Sequence, residues 1–420
     1  MAEPLDLTGI LGLDPENKNV CTLEASCVTG FEPMAAEEVL NMLGCVAKVH
    51  RGRVVFDIDV GRVKEVTKLR CVNTVWVMVG HTANIEYPET EEEQILKLGD
   101  FVEKMAGWDK GLEVWRTATG FQGEMYPAEL EVKHQEGEDG LESSPKMVKL
   151  SPLTFRCTCY RSGTNHKFKS TEVQAKVGGR VQEKFNWPVS CKNYDLEFVI
   201  NCDVIQVYCC INLTNISLFN RTVTHFGPCT LRPPISASLV MLAKLEVGEV
   251  VLDPMCGGGT ISLEGCQMGP QYHIGGEIHS LAIRRSRDNY LALQTKNNLP
   301  NQPAADFFQW DCLVPCLRDS SVDVIITDLP FGKRSGSKAD NRVLYPRTLL
   351  SMARVVRPNT GRAVLLTQDK NSMFRCFKQV EKYWKHTKQI STNIGGLTAL
   401  VFLISRTGEC PPPPPPSKSS

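Results

Sequence analysis

The chain has 420 residues, of which 42% are hydrophobic and 22% are charged, and its formal net charge is zero. The length predicts two or three domains, and the composition is ordinary for a globular protein. A net charge of zero excludes a uniformly basic nucleic-acid binder, but it leaves a local basic surface open.

The charges are unevenly distributed along the chain. Residues 86–142 hold sixteen acidic and five basic side chains, whereas residues 143–200 hold four acidic and ten basic ones. Residues 318–390 are again basic, with fifteen basic against six acidic side chains. The zero net charge is therefore a sum of opposite regions, and binding to a polyanion stays open.

The seventeen cysteines include no C-x-x-C pair, so we expect no structural zinc site. The N-terminus lacks a basic region followed by an apolar core, and no apolar stretch approaches the ~20 residues that a membrane span needs. We therefore expect a reduced, cytoplasmic protein with no membrane segment. A nuclear fraction is compatible with the same features.

Residues 1–90 predict a small α+β domain. A strand over 21–28 precedes a helix over 33–43, and residues 45–59 predict a hairpin that turns at Arg51 and Gly52. A second helix and a strand, VNTVWVMVG, complete the order β-α-β-β-α-β, which is typical of a ferredoxin-like fold.

Residues 91–220 predict a second α+β domain with an acidic insertion at about 119–150. A basic loop, Arg161–Ser170, joins the strand after the insertion to the next helix. From residue 221 to 408, strands alternate with helices, which is the pattern of a parallel sheet. The proline-rich segment 409–420 predicts a disordered tail.

The segment Glu249–Gly265, EVVLDPMCGGGTISLEG, carries the first chemical motif. An apolar strand ends in Asp253 and Pro254, and a glycine loop with Gly257 and Gly259 precedes a helix. Glycines let the backbone approach a ligand, but dinucleotide-binding folds have such a loop as well. A carboxylate at Asp253 would repel a pyrophosphate and attract the cationic amino-acid part of S-adenosylmethionine. The motif therefore favours S-adenosylmethionine as the cofactor.

Two further acidic residues follow the next two predicted strands. Glu277 is placed to hydrogen-bond ribose hydroxyls, and Asp311 is placed to accept a hydrogen bond from an adenine amine. A single acid after a strand is more often a turn residue or a helix cap. Three acids after three successive strands, counting Asp253, argue for a shared cofactor site.

The fourth predicted strand ends in TDLPFG. Strand four of such sheets usually lies beside strand one, so this end faces the cofactor. Asp328 and the neighbouring backbone carbonyls can accept hydrogen bonds from an exocyclic amine. Pro330 stiffens the loop, and Phe331 offers a face on which a flipped base can stack, worth about 1–3 kcal/mol. The arrangement favours methylation of a planar amino group.

The identity of that amine stays open at this point. D-x-P-F motifs serve guanine N2, adenine N6 and protein glutamine alike. A noncatalytic tRNA-binding or scaffolding protein is an alternative of another class, and the intact cofactor acids argue against it.

DPMCGGGT followed by TDLPFGKR resembles the class I RNA N-methyltransferases. Their position behind an α+β module resembles the THUMP-domain tRNA (guanine-N2) methyltransferases, and the likeness continues through FRCTCYRSG and NRVLYP over residues 20–406. It implies a ferredoxin-like domain at 1–90, a THUMP domain at 91–220 and a seven-stranded Rossmann-like methyltransferase domain at 221–408. The implied strand order is 3-2-1-4-5-7-6, with an antiparallel last strand, Leu397–Ser405.

The resemblance also implies roles for single residues. Asp253, with Pro254 beside it, Gly257 and Gly259 would contact the methionine end of the cofactor, Glu277 the ribose and Asp311 the adenine. The implied catalytic residues are Asp328, Leu329, Pro330 and Phe331. The family methylates guanine N2 in the tRNA acceptor stem, around nucleotide 6, and works as a heterodimer with a small zinc-binding activator subunit.

Binding of a tRNA requires dispersed lysine and arginine contacts to phosphates. The candidate RNA-binding residues lie in the basic loop, near the start of the third domain and beside the catalytic motif: Arg156, Arg161, Lys167, Lys169, Arg232, Lys333 and Arg334. For each of them, a solvated surface charge is the competing interpretation. Asp369 is predicted to cap the helix that follows it.

Overall fold

The structure is a computed structural model, and it describes residues 5–126, 152–164, 166–214, 217–218, 223–227, 230–297, 305–332 and 337–412. Most of the predicted acidic insertion lies outside the described residues, and so does the predicted tail beyond residue 412. Lys333 and Arg334, two of the candidate RNA-binding residues, also lie outside them.

The chain divides into two compact units. The first comprises residues 1–25, 39–68 and 74–215, and the second comprises residues 26–38, 69–73 and 216–420. Two short N-terminal segments therefore belong to the second unit. The domain boundaries proposed from the sequence stay predictions.

The first unit contains one sheet with strand order β2-β3-β1-β4-β7-β6-β5 among the described residues. Its strands are β1 (Val20–Cys27), β2 (Lys48–His50), β3 (Arg53–Asp59), β4 (Val72–Ala83), β5 (Phe155–Arg161), β6 (Leu196–Cys202) and β7 (Gln206–Asn212). The helices of this part of the sequence are α1 (Glu32–Leu43), α2 (Glu91–Lys104), α3 (Trp108–Thr119) and α4 (Ser170–Phe185). Because β4 pairs with β7, the two predicted N-terminal domains share a single sheet.

The element order predicted for the first ninety residues is confirmed, with one difference. The second predicted helix, Val60–Lys68, is a 3-10 helix. Its buried residues, Val63 and Val66, are three positions apart, which matches the three residues per turn of a 3-10 helix. The β-branched side chains in this stretch also lower its preference for an α-helix.

The second unit contains the sheet that the sequence predicted from residue 221 onward. Its strands are β8 (Val250–Asp253), β9 (Tyr272–Glu277), β10 (Ala305–Gln309), β11 (Val324–Asp328), β12 (Arg362–Thr367), β13 (Trp384–Ile394) and β14 (Leu397–Arg406). The helices are α5 (Pro233–Leu242), α6 (Thr260–Gly265), α7 (Ser280–Asn297), α8 (Lys338–Val355) and α9 (Lys370–Val380). The order β10-β9-β8-β11-β12-β14-β13 confirms the predicted 3-2-1-4-5-7-6, and β14 is antiparallel to β12 as predicted.

Strand β11 lies in the middle of this sheet, between β8 and β12. Its residues Val324, Ile325 and Ile326 are fully buried, because helices cover both faces of a parallel sheet. Ile325 packs in the apolar cluster that contains Leu349 of α8, whereas Ile326 packs in the opposite cluster with Leu239 of α5. Burial on both faces fixes where β11 ends and therefore where its terminal Asp328 lies.

Residues 26–38 complete the core on the α5 side. Phe31 is fully buried in the cluster that contains Leu239 and Val401. Beside it, the Thr29 carbonyl accepts a hydrogen bond from Thr392 Oγ1 at 2.8 Å and another from the Asn393 amide at 3.0 Å. The second unit therefore depends on a segment that precedes its main sequence by about two hundred residues.

We expect Phe31→Ala to lower the free energy of unfolding by about 3–5 kcal/mol, because it leaves a cavity in this core. Urea unfolding measures the change. Leu40→Ala is the control, since Leu40 on the same stretch of chain is 50% exposed and should change stability by no more than about 0.5 kcal/mol. Equal effects of the two variants would contradict the role of Phe31 in the core.

Candidate active site

The carboxyl ends of the parallel strands bring the predicted acidic residues to one edge of the sheet. Asp253 ends β8, Glu277 ends β9 and Asp328 ends β11, while Asp311 follows β10 by two residues. In a doubly wound sheet, ligands bind at this edge, where the strand order reverses. Here the reversal falls between β8 and β11, so Asp253 and Asp328 lie on either side of it.

Asp253 is held in one orientation by two hydrogen bonds to the same oxygen. Its Oδ1 accepts from Thr327 Oγ1 at 2.7 Å and from the Met255 amide at 3.2 Å. Burial raises the pKa of Asp253 to about 7, although the two hydrogen bonds act in the opposite direction. Among the described residues no group donates a hydrogen bond to Oδ2, and a cationic ligand there would favour the charged form. Pro254, the next residue, is buried.

The glycine loop has the backbone shape that only glycine adopts readily. Gly257 and Gly259 have φ angles of 53° and 82°. A Cβ atom at Gly259 would also lie 2.9 Å from Phe307 and from Ser286, so no other residue fits there. At Gly257 a Cβ would meet no atom within 4 Å, and the glycine is required by the backbone angle alone.

Glu277 and the glycine loop are joined directly. Glu277 Oε2 accepts a hydrogen bond from the Gly257 amide at 3.2 Å, and Oε1 accepts one from the His279 amide at 3.0 Å. Asp311 is exposed, and its Oδ1 accepts from the Leu313 amide at 2.9 Å, as a turn residue does. The predicted contacts of these two acids with ribose and adenine stay predictions.

Asp328 has a buried oxygen, Oδ1, with no hydrogen-bond partner among the residues that the structure describes. Burial raises the pKa of Asp328 well above its usual value, and the nearby Asp253 raises it further. A buried carboxyl oxygen without a donor is costly, so its presence here indicates that a ligand supplies the donor.

The rest of the D-L-P-F loop is held by hydrogen bonds to its backbone groups and by packing of its side chains. The Leu329 amide donates to the Leu366 carbonyl at 2.9 Å, and the Leu329 side chain is buried in the core. The Pro330 carbonyl accepts two hydrogen bonds, from Asn341 Nδ2 at 3.0 Å and from Tyr345 OH at 2.6 Å. Phe331 is half-buried and packs against the cluster on the α5 side.

Asn341 and Tyr345 were assigned no role from the sequence. Both are buried on α8, and their spacing of four residues puts them on one face of the helix. Tyr345 also hydrogen-bonds Thr367 at 2.7 Å, and Asn341 donates to Asp369 Oδ2 at 3.1 Å. That spacing in NRVLYP was the signal that could have identified them as a pair. Asp369 caps α9 through the Ser372 amide, as predicted.

These contacts decide which acceptors remain for a substrate. Both lone pairs of the Pro330 carbonyl are used by the protein. Within the described residues, the Leu329 carbonyl and Asp328 Oδ1 have no donor. Both acceptors are therefore available to N–H groups of a ligand.

The candidate RNA-binding residues occupy different environments. Arg156 is paired with Glu197 at 2.7 Å and stacks on Tyr194, so its charge is already compensated. Arg161 donates to the Phe168 carbonyl, and Lys167 is paired with Glu89 at 3.0 Å.

Lys169 is the most open of the loop cations, with 80% of its side chain exposed, although Glu172 lies 3.6 Å away. Arg232 is exposed at the N-terminus of α5. Arg161 ends β5, and Lys167 and Lys169 lie between β5 and α4. The contact of these three residues with RNA stays a prediction.

In the described ranges, no three His, Cys, Asp or Glu side chains are grouped so that they could hold a metal ion. No helix in that part of the chain is long and apolar enough to cross a membrane.

Two family models match the chain. The RMKL-like methyltransferase domain matches residues 221–399, and the THUMP domain matches residues 140–213. Among relatives, the tRNA (guanine(6)-N(2))-methyltransferase THUMP3 of Bos taurus is 36% identical over 92% of this chain and 88% of its own. The protein of that name from Homo sapiens is 33% identical over 94% and 90%. The human U6 snRNA (guanine-N(2))-methyltransferase THUMPD2 is 31% identical over 52% of this chain and 41% of its own.

Solved structures share the fold at low sequence identity. TrmN from Thermus thermophilus has a TM-score of 0.70 at 20% identity, covering 92% of this chain and 99% of its own. SMU.472, solved in complex with SAH, has a TM-score of 0.66 at 16% identity, covering 92% of this chain and 98% of its own.

The fold and the site define a class I S-adenosylmethionine-dependent methyltransferase that carries a THUMP domain. The relative from Bos taurus exceeds 30% identity and is matched over most of its length. The chain therefore belongs to the THUMP3 methyltransferase family.

The residues present fit the cofactor that this family uses. S-adenosylmethionine carries positive charge at its sulfonium and amino groups, and two buried carboxyl groups with raised pKa values, Asp253 and Asp328, lie where such charge would relieve their desolvation. Asp253, Gly257 and Gly259 would hold the amino-acid end, with Glu277 next to the glycine loop.

We expect Asp253→Asn to stabilise the cofactor-free protein at neutral pH. The folded state keeps the Asp253 proton up to about pH 7, whereas the unfolded chain releases it near pH 3.8. The free energy of unfolding therefore falls by about 1.4 kcal/mol per pH unit as the pH rises between these two values. Urea unfolding without cofactor should show a smaller decline over this range in the variant, and calorimetry should show weaker cofactor binding. An unchanged pH dependence, matching that of the exposed control Asp319→Asn, would refute the raised pKa.

Proposed function

We propose that the chain methylates the exocyclic N2 amine of guanine in tRNA, with S-adenosylmethionine as the methyl donor. The observation that carries the proposal is the pair of unused acceptors at the end of β11, Asp328 Oδ1 and the Leu329 carbonyl. Guanine N2 bears two N–H groups, one for each acceptor. The relatives in which the same domains occur are named as guanine-N2 methyltransferases.

In this proposal the loop acts mainly by positioning the amine of the base. The amine lone pair is delocalised into the ring, and hydrogen bonds from its N–H groups to Asp328 and Leu329 localise it on nitrogen. No strong base is needed, because the nitrogen becomes acidic as it is alkylated. The bound cofactor supplies the methyl group. Asn341 and Tyr345 keep the loop rigid, so little reorganisation is needed when the base enters.

We place the modified guanine in the acceptor stem, around nucleotide 6. Support comes from relatives that are named for guanine 6 and from the THUMP match next to the methyltransferase domain. In this proposal the N-terminal unit binds the acceptor end of the tRNA, and the basic loop with Arg161, Lys167 and Lys169 contacts phosphates.

We also propose that a small zinc-binding activator subunit pairs with the catalytic subunit at strand β10. The methyltransferase sheet has two edges, β10 and β13. The β13 edge exposes Lys385 and Lys388, and lysines on an edge strand oppose pairing with another chain. The β10 edge instead exposes Phe308, which is 44% exposed and stacks on Trp310 with ring centroids 5.6 Å apart.

We expect Asp328→Ala to reduce methyl transfer to unmodified tRNA by about 100-fold or more, because one of the two acceptors for the amine is lost. The assay uses labelled S-adenosylmethionine with the activator present, and nucleoside analysis of the product identifies the methylated position. Glu381→Ala is the control, since Glu381 is exposed and lies more than fifty residues after Asp328. Full activity of the Asp328 variant would refute the catalytic role, and a methylated adenine or a labelled protein would refute the substrate.

We expect Phe308→Glu to lower co-purification of the activator subunit after co-expression, because a charge replaces the exposed ring at the β10 edge. Lys388→Glu, on the β13 edge, should leave co-purification unchanged. A fully active and monodisperse catalytic chain without a partner would contradict the need for the activator, and loss of the partner from the Lys388 variant alone would move the interface to the other edge.

A further inference from the structure

Asn289 is a fully buried asparagine in the middle of α7, and its side chain makes no hydrogen bond to its own helix among those the structure describes. Its Oδ1 accepts from the amides of Thr224 and His225, at 3.0 Å and 2.7 Å. Its Nδ2 donates to the carbonyls of His225 and Gly258, at 3.1 Å and 3.0 Å. One side chain therefore joins the glycine loop to a segment more than thirty residues before it.

That segment, Thr224–Gly227, lies against α7 at a second point as well. A Cβ atom at Gly227 would be 3.1 Å from Arg285 Nε, and Arg285 is one helical turn before Asn289. Gly227 is further fixed by Thr230, whose Oγ1 accepts from the Gly227 amide at 2.7 Å. The segment also carries Phe226, whose ring is exposed.

The glycine loop itself makes few side-chain contacts that could hold its shape. Residues 257–259 have three hydrogen-bonding contacts with side chains in the described structure: Glu277 accepts from the Gly257 amide, Cys256 Sγ makes a long contact of 4.0 Å to the Gly257 carbonyl, and Asn289 donates to the Gly258 carbonyl at 3.0 Å. Of these, only Asn289 joins the loop to the Thr224–Gly227 segment. Because Gly257 and Gly259 are conformationally free in the unfolded chain, an external anchor is what selects their binding conformation.

We propose that Asn289 is a positioning residue for the cofactor: it fixes the glycine loop and the Thr224–Gly227 segment as one wall of the cofactor site. The residue touches neither cofactor nor substrate in this role and acts through the backbone of both segments. Removal of the side-chain amide of Asn289 leaves two backbone N–H groups and two backbone carbonyls without this partner. The glycine loop and the Thr224–Gly227 segment are then no longer joined.

Three variants test the proposal: Asn289→Ala, Asn289→Asp, and the control Gln294→Ala on the same helix. We expect Asn289→Ala to raise both the Kd and the KM for S-adenosylmethionine by about tenfold or more, while kcat at saturating cofactor changes by no more than about threefold. Amide hydrogen exchange of Thr224 and His225 should become faster in the same variant. The Gln294 control should behave like the parent in all measurements.

Asn289→Asp separates the accepting from the donating role. An ionised carboxylate still accepts hydrogen bonds from Thr224 and His225, but it repels the carbonyls of His225 and Gly258. Only the protonated form has an O–H group that can donate to one of these carbonyls. Cofactor affinity of this variant, measured relative to Asn289→Ala, should therefore recover as the pH is lowered.

Two results would overturn the proposal. A lower stability of Asn289→Ala in urea with unchanged Kd for the cofactor would reduce Asn289 to a structural residue. A fall in kcat with unchanged KM would show that it acts on the reacting groups instead.

Discussion

Two carboxyl groups at the ends of adjacent parallel strands, Asp253 and Asp328, are both withdrawn from water, and the rest of the site depends on this constraint. Burial raises the pKa of each; the nearby Asp253 raises the pKa of Asp328 further, and Glu277 does the same for Asp253. The protein compensates only part of the cost, through Thr327 and the Met255 amide on one oxygen of Asp253. A cationic cofactor and an amine that donates hydrogen bonds would supply the remainder, so burial of the two carboxyl groups favours ligands of that chemistry.

The two ligand-binding loops are supported in the same way. Asn341 on α8 holds the Pro330 carbonyl of the D-L-P-F loop, and Asn289 on α7 holds the Gly258 carbonyl of the glycine loop. Both asparagines are buried and both hydrogen-bond backbone groups of a loop, so side chains of rigid helices determine the shape of flexible segments. By saturating the Pro330 carbonyl, Asn341 and Tyr345 also decide which acceptors face the substrate.

Features that follow from local sequence pattern could be predicted from the sequence, whereas contacts between residues distant in sequence could not. The alternation of strands and helices predicted the parallel sheet and the acids at its strand ends, whereas the family resemblance implied the strand order. Arg156 was chosen as an RNA contact, but β5 pairs with β6 so that Glu197 lies opposite and neutralises it. The 3-10 helix at Val60–Lys68 was predicted as an α-helix, because a spacing of three residues fits both patterns over so short a stretch.

By itself, the sequence determined the parallel sheet, the acids at its carboxyl edge, the glycine loop and the cofactor class, since periodicity and strand ends are local properties. Only the tertiary structure decided that Phe31 belongs to the second unit, that Asp328 Oδ1 lacks a donor, and that Asn289 bridges two distant segments. The reason is physical: hydrogen-bond saturation and burial depend on which distant groups share a volume, and no local pattern records that.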